Sequence, residues 1–148
     1  MTACASAPPA ASGGAAAAGK NHSPTTAAVG DRAAAAALQQ IGAPYRYGGQ
    51  TPAGFDCSGL VHYAYLQAGK SVPRTTGQLW QQTDVVRRAD IERGDLIFFA
   101  INGKMQHVGI YVGDGRFVHA PKSGRNVAMA SLDNDFYRHA YLRAGRPR

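Results

Sequence analysis

Cysteine is scarce in this sequence, with two in 148 residues, Cys4 and Cys57. Two cysteines cannot build the dense disulfide framework of a small secreted scaffold. A single Cys4–Cys57 bridge would tether a tail to the core and is not expected. Acidic residues are also few, nine against sixteen lysines and arginines, for a formal charge of +7. That excess favours anionic surfaces such as phospholipid, nucleic acid or cell-wall polymer, although it also suits plain solubility. The basic residues are dispersed, apart from Arg143, Arg146 and Arg148, and no nucleic-acid-binding module is spelled out. Nucleic acid is therefore excluded as the expected partner. No apolar run approaches a membrane span, and there is no internal repeat. The length suits one domain with a single core.

Residues 1–28 are rich in alanine, glycine, serine and proline. They offer too little apolar area to offset the entropy of ordering, so this tail is expected to be disordered. Thr2-Ala3-Cys4 resembles the end of a bacterial lipoprotein signal, where small residues precede the cysteine that becomes diacylated. Cys4 is then the candidate lipidation site and the tail a stalk between anchor and domain. The folded domain is expected over residues 29–148.

From Asp31 the composition changes. Asp31 is read as the cap of a helix over RAAAAALQQIG, which Gly42 and Pro44 stop. PYRYGGQTPAG is a loop. Asp56 can cap a second helix whose apolar face carries Leu60, Val61, Ala64, Tyr65 and Ala68, with Gly69 ending it. VPRTTGQLWQQ reads as a turn into a short helix capped by Thr75 or Thr76. The period then changes. LIFFAI reads as a buried strand, and HVGIYV and RFVHA, around Gly113-Asp114-Gly115, as a hairpin. NVAMASL and HAYLRAG are further strands. Helices first and strands afterwards predict an α+β domain, N-terminal helices packed on a mainly antiparallel sheet.

Cys57 stands at the start of the second helix, where unpaired N–H groups and the helix dipole favour negative charge and lower a thiol pKa. Small Ser58 and Gly59 are expected to leave room for a substrate backbone. The bland alternative is a buried cysteine acting as a small hydrophobe. Histidine placement argues otherwise. His107 opens one hairpin strand and His119 closes its partner, so antiparallel pairing brings both imidazoles to one end of the sheet. A cysteine at a helix start, a histidine base and a second group orienting that base form the arrangement a thiol nucleophile needs. His107 is expected to hold Cys57 as a thiolate–imidazolium pair, with His119 fixing its tautomer. The same three side chains could instead ligate zinc, but no C-x-x-C or H-x-x-x-H pair supports a metal site.

Taken in order, APYRYGG, FDCSGLVHYAY, PRTTGQ, RGDLIFF and QHVGIYVGDGRFVHA resemble the NlpC/P60 family of cell-wall cysteine peptidases, from about Asp31 to the C-terminus. The resemblance implies a papain-like fold and hydrolysis of amide bonds in peptidoglycan stem peptides or crosslinks. It makes Cys57 the nucleophile, His107 the general base and His119 the orienting residue, with no cofactor. It places the Tyr45 hydroxyl facing the nucleophile, as an oxyanion or carbonyl donor, and Asp56 and Ser58 where relatives contact the substrate's free amine. For Asp56 the helix cap is the favoured reading. Arg74 is assigned either a substrate carboxylate or a structural ion pair. Tyr47 and Trp80 could wall the groove, and His62 is read as a surface residue without a partner. The implied substrates contain γ-D-glutamyl and meso-diaminopimelyl units. The implied setting is the periplasm, as a monomer touching membrane only through Cys4, or delivery as a secreted or injected effector. A non-catalytic wall-binding domain and a related thiol amidase or acyltransferase are the alternatives.

Overall fold

The computed structural model describes residues 26–148, so residues 1–25 of the expected tail, the Cys4 anchor and the Cys4–Cys57 bridge lie outside the described residues, while residues 26–28, expected as tail, are helical. Helix α1 spans Thr26–Leu38 and helix α2 Cys57–Gln67, with a small hairpin between them, β1 (Gln50–Thr51) and β2 (Gly54–Phe55). A short helix α3 (Thr76–Gln81) leads into β3 (Thr83–Val86). The strands β4 (Leu96–Ile101), β5 (Lys104–Gly113), β6 (Arg116–His119) and β7 (Ala128–Ser131) follow, then helix α4 (Asp135–Ala140) and β8 (Tyr141–Pro147). The main sheet has the order β3-β8-β4-β5-β6-β7, with every pairing antiparallel. This is the α+β architecture expected from the change of hydrophobic period.

Alternation along the strands divides the core into two layers. Leu96, Phe98, Val108, Ile110 and Val118 pack with Leu60, Val61 and Ala64 of α2 and Ala33 and Ala37 of α1. The opposite face of the sheet carries Ile97, Phe99, Phe117 and Ala144, covered in part by Tyr137 from α4. Burial on both faces explains why LIFFAI is a continuous apolar run rather than an alternating one.

Three expectations need correction. Asp31 is not a helix cap. The alanine-rich stretch carries α1 back to Thr26, and Asp31 sits within it, ion-paired to Arg93 at 2.5 Å. HAYLRAG is not all strand. Asn134 accepts hydrogen bonds from the backbone of Phe136 and Tyr137, so Asp135–Ala140 winds into α4 before β8 starts. His62 is not an unpartnered surface residue, because its half-buried ring lies 2.8 Å from the Val72 carbonyl oxygen. The basic cluster at the C-terminus is also not an open patch. Arg143 stacks on Trp80, Arg146 binds Asp95 and Arg148 binds Asp84.

Candidate active site

Helix α2 begins at Cys57 because Asp56 caps it. Its Oδ1 accepts from the Gly59 N–H at 2.7 Å, and its Oδ2 accepts from the Gly48 N–H at 3.0 Å. The cap thus fixes both the helix start and the preceding loop. Gly69, at a φ of 90°, closes the other end, as the sequence indicated.

Arg74 locks this arrangement. Its guanidinium donates to Gln50 Oε1 (2.8 Å), Ser58 Oγ (3.0 Å), Gly49 O (3.2 Å) and Asp56 Oδ2 (3.0 Å). Of the two roles assigned to Arg74, this geometry is the structural ion pair, with most of its donors engaged inside the protein. Ser58 is buried and its hydroxyl also reaches Asp56 Oδ1 at 3.4 Å. Arg74→Ala would leave the Asp56 carboxylate, only 17% exposed, without its cation. The expected cost is about 1–3 kcal/mol of stability, read as a lower urea midpoint with an unchanged slope.

The space above Gly59 is not open to substrate, contrary to the sequence expectation. A Cβ there would sit 1.9 Å from Gly49 O, so the protein's own β1 loop fills it. The same carbonyl accepts from the Asp56 N–H at 3.1 Å.

Across from the helix, the two histidines meet as the hairpin predicts. His107 Nε2 lies 2.7 Å from His119 Nδ1, and both rings are buried. Ile110 pairs with Val118 in the β5–β6 register, so Gly109 faces His119 and the imidazoles are diagonal neighbours. Gly109 makes this approach possible. A Cβ on it would meet Phe117 Cδ2 at 2.7 Å and His119 Cβ at 3.3 Å. Phe99, Phe117 and Tyr137 surround the pair with ring edges and faces.

A bulge brings the backbone to the thiol. His107 pairs with Phe99 but Met105 pairs with Ala100, which leaves Gln106 as the extra residue. The Gln106 carbonyl oxygen lies 3.6 Å from Cys57 Sγ, and Thr76 Oγ1 from α3 lies at the same 3.6 Å distance. Neither contact was read from the sequence. Thr75, not Thr76, caps α3 by accepting from the Gln78 N–H, which leaves the Thr76 hydroxyl for the sulfur.

Cys57 and His107 line one groove of about 420 Å³, with Tyr45, Tyr47, Asp56, Ser58 and Thr76 also on its walls. Tyr47 is 90% exposed at its rim. Trp80 is not on this wall. It packs edge-on to Phe98 and beneath the Arg143 guanidinium. Burial pushes the Tyr45 hydroxyl pKa up, with a further rise from the nearby Cys57 charge.

Burial also sets the protonation states. It raises the Cys57 thiol, an effect the Thr76 hydroxyl and the Val108 and Ser58 N–H groups partly offset. It lowers His107 to about 4 and, with help from His107, His119 to about 3. Burial thus favours the neutral thiol and the neutral imidazole. The thiolate–imidazolium form expected from the helix dipole gives way to desolvation.

A thiol at a helix start and an imidazole on the facing sheet line one groove, with a second, buried imidazole behind the first. The sequence profile of the NlpC/P60 family matches residues 42–146, which holds all three. The chain belongs to the NlpC/P60 family. It is 43% identical over 115 residues to murein DD-endopeptidase MepH of Escherichia coli K12, covering 74% of this chain and 42% of that protein. It is 38% identical over 100 residues to a γ-D-glutamyl-L-lysine dipeptidyl-peptidase of Bacillus subtilis 168, covering 66% of this chain and 34% of the relative. This NlpC/P60 chain thus spans under half the length of those curated relatives. Among solved structures, an NlpC/P60 family protein from Bacillus cereus superposes with a TM-score of 0.74 at 34% identity, over 80% of this chain and 39% of that one. The NlpC/P60 domain of the peptidoglycan hydrolase SagA does so with 0.69 at 34% identity, over 78% of this chain and 97% of that domain.

Proposed function

We propose that this NlpC/P60 domain is a cysteine peptidase that hydrolyses amide bonds of peptidoglycan peptides, with Cys57 as nucleophile, His107 as general base and His119 as the residue that orients it. One observation carries the reading: the Cys57 thiol and the His107 ring face a common groove while His107 is backed by His119 at 2.7 Å. The names of its relatives, a murein endopeptidase and a γ-D-glutamyl-L-lysine dipeptidyl-peptidase, support the substrate class.

The role of His107 as base assigns the tautomers across the 2.7 Å contact to His119. His107 Nε2–H donates to His119 Nδ1, which leaves His107 Nδ1 as the acceptor for the thiol proton. As Sγ attacks the carbonyl carbon, its proton passes to Nδ1 and the positive charge is shared along the imidazole pair. His107 then gives that proton to the departing amine and leaves a thioester on Cys57. Water loses a proton to His107, attacks the thioester and restores the thiol. In this reading the Tyr45 hydroxyl, on the same groove, donates to the developing oxyanion, and the Thr76 hydroxyl at 3.6 Å holds the sulfur. Asp56 and Ser58 line the groove beside Cys57 and are the groups to meet a free amine, although both also serve the helix cap. No step requires a metal or an organic cofactor.

Purified sacculi and defined stem peptides test this. Wild-type protein is expected to release new muropeptide ends and Cys57→Ala none, and the product masses tell a D-alanyl–diaminopimelate cut from a γ-D-glutamyl one. Identical profiles from wild-type, variant and buffer would remove the hydrolase assignment. The same proposal puts the domain outside the cytoplasm, as a monomer held by a lipidated Cys4. Mass spectrometry of the membrane-derived protein, looking for a diacyl addition on Cys4, checks the anchor.

A further inference from the structure

The groove continues past His107 into a second bay of about 410 Å³. Ile101, His107 and Pro121 form the wall common to both bays, and Cys57 lines only the first. The two bays differ in charge. The first contains the Asp56 carboxylate, already paired with Arg74. The second is lined by Lys122 and Arg125 with no carboxylate beside them, and neither cation has an ion-pair partner among the described residues. Its remaining walls are Asn102, Phe136 and Tyr137.

The loop carrying these cations is held in place. Gly124, at a φ of 83°, closes a turn in which the Arg125 N–H donates to Lys122 O at 3.1 Å. The Arg125 carbonyl accepts from the Tyr45 N–H at 3.0 Å, and Asn126 bridges to Pro44. The strand segment that presents the Tyr45 hydroxyl to the first bay is therefore the one that anchors the cations of the second.

We propose that the second bay is the subsite for the departing amine half of the substrate, and that Lys122 and Arg125 select a free carboxylate on that half. This rests on the hydrolase reading above. In that mechanism His107 hands its proton to the leaving nitrogen, so the nitrogen lies on the His107 side of the thioester carbon. The chain attached to it leads away from Cys57, into the space that begins at His107. Two cations without ion-pair partners, on a pinned loop over an aromatic wall, match an amino-acid carboxylate close to the scissile nitrogen, bound through charge-assisted hydrogen bonds.

The test uses crosslinked stem peptides that differ only in whether the carboxyl beside the scissile nitrogen is free or amidated. Wild-type kcat/KM is expected to favour the free acid by about tenfold, in keeping with partly exposed charge pairs. Lys122→Gln combined with Arg125→Gln should bring that ratio close to one. Lys70→Gln, just beyond the far end of α2, should leave it at the wild-type value. A ratio that survives in the double variant, or that is close to one in wild-type, overturns the proposal. A second readout needs no turnover. The free-acid amine product, titrated into Cys57→Ala protein, should shift NMR signals of residues 121–126, and its amidated counterpart should not. If wild-type cleaves neither peptide, the hydrolase assignment fails on its own and the titration decides the subsite.

Discussion

Gly59→Ala is expected to lose at least about 4 kcal/mol of stability, enough to unfold much of the population at 37 °C. The methyl group would overlap Gly49 O at 1.9 Å, and backbone on a pinned loop cannot yield as the end of a side chain can. To make room, the β1 loop must lift from α2. That breaks the Asp56 N–H bond to Gly49 O and the Arg74 contacts to Gly49 and Gln50. The Asp56 cap loosens with it, and with the cap goes the placement of Cys57. Gly77→Ala in α3 is the matched control, since nothing lies within 4 Å of its added Cβ. That change should be neutral or gain about 0.5–1 kcal/mol from the stiffer unfolded chain. Chemical unfolding of both variants checks the pair. Equal midpoints for Gly59→Ala and wild-type would mean the loop is not packed against the helix.

The second large effect is loss of stability in mild acid. In the unfolded chain both imidazoles titrate near 6.5, whereas in the fold burial holds His107 at about 4 and His119 at about 3. Between these limits the unfolded state binds more protons, so stability rises with pH there and falls as pH is lowered. The contribution is fully present above about pH 6.5. By pH 4 each site has lost on the order of 3 kcal/mol, a large part of a typical domain's total. Unfolding midpoints should therefore drop steeply between pH 6.5 and 4.5, and His119→Asn should show a shallower slope by about one proton. A midpoint unchanged over that window would place the imidazoles in contact with solvent. Activity should follow the folded values, with an acid limb well below pH 6.5 because His107 keeps its acceptor nitrogen free.

The sequence made the candidate site legible because its signals are local. Asp56 before Cys57 marks a helix start, and two glycine-flanked strands carry His107 and His119 to one end of a hairpin. What it hid depends on contacts between distant segments. The extra residue at Gln106 exists only relative to the register of β4. Gly49 and Gly59 meet through tertiary packing, so the small residue at 59 was misread as space for substrate. Thr76 turns to the sulfur because Thr75 takes the cap, a choice between adjacent equivalent residues that local pattern does not decide. The protonation states failed for a related reason. Helix position was visible in sequence, whereas desolvation, which outweighs it, depends on the aromatic shell of Phe99, Phe117 and Tyr137. The start of α1 and the helix α4 were missed locally. Asn134 was available as a cap signal, and the alanine run gave no reason to stop at Asp31.

Strand β8 lies between β3 and β4, so β3 has no hydrogen-bonded neighbour in the sheet until residues 141–147 arrive. Synthesis delivers that wedge after every other strand of the sheet. A nascent chain already carrying Cys57, His107 and His119 would still hold two raw sheet edges. Such a species is prone to aggregate, so completion of this sheet waits on β8 rather than on the segments that carry those three side chains.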